Sequence, residues 1–172
     1  MTRYVALLRA INVGGKNLLK MDALRNAFES AGLKNVRTFQ QAGNVVFEAT
    51  RIKKNLFQTL NLKTDGIVLS LTDLKQIIDR DPFKKVAAGD VMLCVVFFVD
   101  RPANSPKLPL LSPTENLELI AITDLAAFVV ARRRKTGWFG FPNNFVEKEL
   151  GVTATTRQWS TVKKLLAFAE KD

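Results

Sequence analysis

The order in which strand-like and helix-like segments alternate before Leu71 constrains this chain more than any other feature. Tyr4–Leu8 reads as a buried strand, and Met21–Ala31 places Met21, Leu24, Ala27, Phe28 and Ala31 on one face of a helix that Gly32 stops. Val36–Gln40 and Val45–Glu48 are short strands separated by the turn cluster Gln41-Ala42-Gly43-Asn44, which predicts a hairpin. Ile52–Leu60 has the character of a second helix and Gly66–Leu71 that of a fourth strand. The sum is βαββαβ, the split arrangement of a ferredoxin-like unit.

The order then recurs. After a bridging helix at Leu71–Asp79, the apolar run Val91–Val99 is a strand, Lys107–Leu111 a poor helical turn, and Leu117–Ile122 with Ala126–Ala131 a hairpin across Thr123-Asp124-Leu125. Asn143–Leu150 is a helix closed by Gly151, Thr153–Thr156 a last short strand, and a helix from about Arg157 to Glu170 ends the series. The fold expected is therefore α+β, with two fused ferredoxin-like subdomains, a bridging helix and a C-terminal helix. The first subdomain with its bridging helix takes residues 1–81, and the second with the terminal helix takes 82–172. The duplication rests on element order alone, and a single larger α+β domain is the simpler alternative.

Composition narrows the chemistry. With 172 residues and 47% hydrophobic content the chain is long enough to bury a core. It contains no histidine, which excludes imidazole general bases, Ser/His/Asp and Cys/His nucleophile systems and the usual zinc sites, so no metal is expected. Cys94 is the single cysteine and lies inside Val91–Val99, where an inert buried thiol is expected. That run is too short to span a bilayer, and Met1-Thr2-Arg3 does not open a secretory segment, so the expected location is cytoplasmic, with no membrane partner. Twenty-six Lys and Arg against 16 Asp and Glu give a net charge of +10, a field that favours anionic partners.

Two loop edges are candidates for meeting such a partner. In the first, Ala10-Ile11-Asn12-Val13-Gly14-Gly15-Lys16-Asn17 is two substitutions from the phosphate loop G-x-x-x-x-G-K-[ST]. The match fails on chemistry: Asn17 lacks the magnesium-binding hydroxyl, Leu18-Leu19-Lys20 separates the lysine from the helix, and the strand order is not that of a parallel nucleotide-binding sheet. What survives is a weaker anion nest, in which backbone N–H groups at Gly14 and Gly15 converge with Arg9, Asn12, Lys16 and Asn17. The topology predicts that Arg9–Asn17, Gln40–Asn44 and Lys63–Asp65 are neighbours, adding Gln41 and Asn44. The competing structural reading is that the glycines only permit a tight exit while Asn12 and Asn44 satisfy loop backbone groups.

The second edge is "ARRRKTGWFGFPNN", where Arg132, Arg133, Arg134 and Lys135 precede Trp138, Phe139 and Phe141. A basic run beside aromatics has the composition to hold phosphates and stack bases. Arg157 and the start of the last helix are expected near it. Thr155 and Gln158 have capping-box spacing for that helix, and Trp159, Val162, Leu166 and Ala169 share a face, which makes Trp159 a core anchor. Tyr4 fits only loosely the aromatic positions by which some ferredoxin-like sheets bind RNA.

Three blocks together, Leu8–Asn17, Gln41–Phe47 and Thr156–Val162 with Lys164-Leu165, resemble the bacterial domain-of-unknown-function family numbered 1697. The resemblance implies two fused ferredoxin-like subdomains and carries no established activity. This chain departs from the family pattern at Ala10, Ala42, Gln158 and Ser160 and around Phe139-Gly140, which puts a shared ligand in question. The reading that follows is a protein that binds a small phosphorylated or otherwise anionic ligand at one of the two edges. A nucleic-acid-binding module or a basic interaction scaffold is the alternative. No residue set specifies a reaction or a cofactor.

Overall fold

Apolar residues in Thr2–Leu8 and Asn44–Ala49 extend the chain into two adjacent strands, because burial on a pleated surface rewards β-branched and aromatic side chains. The computed structural model describes residues 1–15 and 18–171, and its architecture is mixed α+β, with two antiparallel sheets and five helices among those residues. The chain divides into two compact units, Met1–Ile77 with Lys164–Asp172, and Ile78–Lys163. The stretch from Lys164 thus counts with the first unit, whereas the sequential partition keeps it with the second.

In the first unit β1 (Thr2–Leu8), α1 (Met21–Ser30), β2 (Lys34–Phe39), β3 (Asn44–Ala49), α2 (Leu56–Thr59) and β4 (Gly66–Ser70) follow one another, with α3 (Leu71–Asp79) after them. The sheet order is β2-β3-β1-β4, antiparallel throughout, with Tyr4 opposite Phe47 and Leu8 opposite Gly66. One sheet face supplies Ala6, Leu8, Val45 and Phe47 to a core completed by Leu24 and Phe28 of α1. Phe28 and Phe47 are fully buried and in ring contact at 5.4 Å, each contributing about 2–3 kcal/mol by removal from water. Gly32, at φ 86°, ends α1 as expected: its N–H donates to Glu29 O, and the Leu33 N–H donates to Phe28 O.

Two expectations for this unit change. The helix expected over Ile52–Leu60 is only the single turn of α2, because Lys53-Lys54-Asn55 interrupts the apolar period between Ile52 and the buried Leu56 and Leu60. Tyr4 belongs to the same side as Phe47, stacked on it at 5.8 Å and packed against the α1 core, so it is not offered on an open sheet face for RNA.

The second unit contains β5 (Val91–Phe98), β6 (Leu110–Leu111), β7 (Leu117–Ile122), β8 (Ala126–Arg132), α4 (Pro142–Leu150) and β9 (Ala154–Gln158). Strand order is β6-β7-β8-β5-β9, with Val95 opposite Phe128 on one side and Arg157 on the other. Cys94, Val96, Phe98, Val129 and Ala131 face Phe145, Val146 and Leu150 of α4. Pro142 opens α4 and Gly151, at φ 59°, closes it. On the opposite sheet face Phe83 lies edge-on to Phe128 and to Trp159.

The helical turn expected at Lys107–Leu111 is absent. Pro102, Pro106, Pro109 and Pro113 deny that segment its helical hydrogen bonds, and Leu110–Leu111 instead pairs with Leu119 and Glu118 as an edge strand. The capping-box reading of Thr155 and Gln158 is also overturned. Both residues lie in β9, paired with Phe97 and Cys94, and α5 (Trp159–Glu170) begins directly after the strand. Trp159 is buried as expected, and Val162, Leu165 and Ala169 complete its face, with Leu165 buried rather than Leu166.

Candidate functional site

At the first edge the end of β1, the β2–β3 turn and the start of β4 are neighbours, as the strand order requires. The Leu8 N–H donates to Gly43 O at 2.8 Å and the Arg9 N–H to Asp65 O at 2.8 Å, while the Thr64 hydroxyl donates to Arg9 O. Close approach is enforced by glycine. A Cβ on Gly43, whose φ is 69°, would stand 2.9 Å from Leu8 Cβ, and one on Gly66 would stand 2.6 Å from Leu7 O.

The polar side chains there serve the loop's own backbone. Asn12, at φ 55°, donates from Nδ2 to both Leu19 O and Gln41 O at 3.0 Å and accepts the Leu19 N–H on Oδ1 at 2.8 Å. Asn44 is fully buried and donates to Phe39 O at 3.1 Å. Gln41 is exposed and contributes its carbonyl to Asn12. Gly14 and Gly15 sit in the left-handed region at φ 57° and 73° in open space, so only their conformation calls for glycine. Lys16 and Asn17 lie outside the described residues.

The second edge is assembled from two segments of the second unit. The β8 strand ends at Arg132, and the turn that follows is closed by Arg134 N–H to Trp138 O and Gly137 N–H to Arg134 O, each at 2.9 Å. Facing it, Ser112–Asn116 connects β6 to β7: the Ser112 hydroxyl accepts the Glu115 N–H, and Asn116 Nδ2 donates to Arg133 O at 2.7 Å. The two segments enclose a cleft of about 420 Å³ lined by Ser112, Thr114, Asn116, Arg133, Arg134 and Lys135. No carboxylate among the described residues lines it.

The arginines are individually anchored. Arg132 pairs with Glu118 at 2.8 Å, Arg133 with Asp90, and Arg134 more loosely with Glu115 at 3.7 Å. Arg133 also donates to Gly137 O and lies 4.6 Å over the Phe139 ring. Lys135 is exposed and has no ion pair among the described residues. Of the aromatics, Trp138 and Phe141 are exposed, whereas Phe139 is held between Arg133 and the core. Sequence reasoning found the basic run but missed the Ser112–Asn116 wall. The Ser-Pro-Thr-Glu-Asn composition marked a loop there, but its place beside β8 follows only from the β7–β8 pairing.

Arg157 does not join this cleft. It lies opposite Val95 on β5, whereas Arg132 lies opposite Val91, four residues or about 13 Å along the strand. It is 9% exposed and donates to the Thr155 hydroxyl at 2.8 Å and to Thr156 O at 2.9 Å, and burial pulls its guanidinium down to about 10. Cys94 is buried and free, and the same desolvation pushes its thiol up to about 12, which makes it inert rather than nucleophilic.

A family model described as "Protein of unknown function (DUF1697)" matches residues 1–128. Among solved structures, the conserved bacterial protein SP0830 from Streptococcus pneumoniae is similar in fold, with a TM-score of 0.65 at 19% sequence identity over 98% of this chain and 99% of that one. No curated protein matches the chain.

Proposed function

The chain belongs to the DUF1697 family, and within that family we propose that it binds a small phosphorylated or otherwise anionic ligand at the loop edge of its second unit. The observation that carries this reading is the cleft between Ser112–Asn116 and Arg133–Lys135, whose wall combines Lys135, which has no ion pair among the described residues, with the ion-paired Arg133 and Arg134 and with hydroxyl and amide groups. Its volume lies in the range of small-molecule sites. Asn116 and Gly137 hold Arg133 in place, so ordering costs little on binding. We read both units as ferredoxin-like. The element order and the β2-β3-β1-β4 sheet support this in the first unit, and the second departs by having β6 where a helix would stand.

The ion pairs of Arg132, Arg133 and Arg134 favour a compact anion, which Lys135 and the hydroxyl and amide groups of the cleft can meet with those pairs intact, over a nucleic acid laid along the run, which would have to displace three carboxylates. The first edge is less suited to an anion, because its amide donors already serve the loop. Calorimetric titration with inorganic phosphate and pyrophosphate tests the reading. Binding of pyrophosphate that weakens in Lys135→Ala, with an unliganded melting point close to wild type, is expected because an exposed lysine contributes little to folding. Absence of any anion binding, or binding indifferent to Lys135, would overturn it.

A further inference from the structure

The cationic cleft shares part of its lining with a second chamber. Ser112, Pro113 and Thr114 line both the Arg133–Lys135 cleft and a cleft of about 360 Å³ whose remaining walls include Phe141, Asn144, Phe145 and Lys148. Glu115 ties the two together: one carboxylate oxygen accepts the Phe141 N–H at 3.3 Å and the other faces Arg134 at 3.7 Å. Gly140 permits this approach, because a Cβ there would lie 2.6 Å from Glu115 O.

The chambers differ in chemistry. The first is lined by cations and hydroxyls. The second is lined by the apolar Pro113, Phe141 and Phe145 together with the Asn144 amide, the Lys148 ammonium and the Glu115 and Glu149 carboxylates. Phe141 is 67% exposed, a large ring left in water on the wall of this cleft. An alkyl chain would leave the polar lining groups unmatched, and a bare inorganic anion would leave the ring uncovered. A flat heterocycle with hydrogen-bonding edges satisfies both.

Resting on the anion-binding reading above, we propose that the ligand is a nucleoside phosphate, its phosphate group in the Arg133–Lys135 cleft and its base against Phe141. Every base has a face that stacks on an aromatic ring, so the contact adds affinity without dictating which base is held. Trp138 is exposed on the same loop but lines neither cleft and has no part in this contact.

The test is titration of the full chain with pyrophosphate, the four common ribonucleoside monophosphates and diphosphates, and the corresponding nucleosides. At least one nucleoside phosphate is expected to bind about tenfold or more tightly than pyrophosphate. Phe141→Ala is expected to erase that advantage while leaving pyrophosphate affinity unchanged, Lys135→Ala to weaken both, and Trp138→Ala to alter neither. Thermal melts of each variant check that the fold persists. Nucleoside phosphates binding no better than pyrophosphate, or an advantage that survives Phe141→Ala, would overturn the base contact while leaving anion binding in place. Failure of all phosphates to bind would overturn the anion-binding reading and this inference with it.

Discussion

The Asn12 side-chain amide donates from Nδ2 to the Gln41 carbonyl oxygen at 3.0 Å, across 29 residues of sequence, and to the Leu19 carbonyl, while its Oδ1 accepts the Leu19 N–H. One amide thus closes a loop onto the hairpin beside it. Asn12→Ala removes three hydrogen bonds and puts alanine into a left-handed conformation, so a loss of about 2–3 kcal/mol is expected. Asn12→Asp keeps only the acceptor for Leu19 N–H and sets a carboxylate against two carbonyls, so it should be no better. Thermal melts of the unliganded protein check both: a drop of roughly 5–10 °C is expected. Unchanged melting in Asn12→Asp would show that the clasp contributes nothing.

Glycines in the same region separate conformation from space. Gly14→Ala and Gly15→Ala meet nothing within 4 Å and should lose only the left-handed penalty, about 1–2 kcal/mol each. Gly43→Ala adds a clash with Leu8, and Gly66→Ala drives a methyl into the Leu7 carbonyl and the Phe57 ring. These two should cost more, on the order of 3 kcal/mol or above, or fail to accumulate as folded protein. Urea unfolding of the four variants gives the ranking directly.

The strand order of the first unit was legible because each element carries a local signal: the period of α1, the Gly32 stop, the Gln41–Asn44 turn. The neighbourhood of Arg9, Gln41 and Asp65 followed from it. What was not legible depends on distant partners. Whether Asn12 and Asn44 face a ligand or their own backbone is decided by where Leu19, Gln41 and Phe39 place their carbonyls. Thr155 and Gln158 show the same limit, since a capping-box spacing and two strand positions look identical until pairing with β5 selects one. The ion pairs of the arginine run were not legible because its carboxylates, Glu118, Asp90 and Glu115, come from elsewhere in the chain.

Glu48 gives a pH dependence with a definite sign. The Asn35 amide, donating at 2.8 Å, and then the Arg3 guanidinium hold its carboxyl below the ordinary glutamate value. A carboxylate favoured in the folded state contributes stability that is fully present above its unfolded pKa and is lost as pH falls through the lower folded one. Glu48→Gln should therefore lower stability near neutrality, where the contribution is present, and flatten the acid limb so that the two proteins converge as pH falls. Circular dichroism melts between pH 3 and 7 check this. Parallel acid limbs in the two proteins would remove Glu48 from the account.

Cys94 should behave as a reporter of opening. With its thiol pushed up to about 12 and its side chain under α4, the thiolate fraction at mildly alkaline pH is on the order of a thousandfold below that of a free cysteine. Labelling by a thiol reagent should be slow in the native protein and prompt in denaturant. Its rate in intermediate urea should track unfolding of the second unit. Prompt native labelling would mean that β5 and α4 part without global unfolding.

The ion pairs of the arginine run also set a limit on salt dependence. Each phosphate contact to a single strand contributes about 0.7 to the slope of log affinity against log salt, so three freely available arginines would contribute about 2. Arg132, Arg133 and Arg134 each already face a carboxylate, and exchanging one anionic partner for another gains little. The difference in slope between the wild type and the triple alanine variant, measured by anisotropy with a labelled oligothymidylate from low to physiological salt, should therefore stay below about one. Any binding that both proteins share belongs to the general field of a +10 chain. A difference near two would mean that the arginines leave their carboxylates for phosphates, and the basic run would then be a nucleic-acid surface rather than one wall of a small cleft.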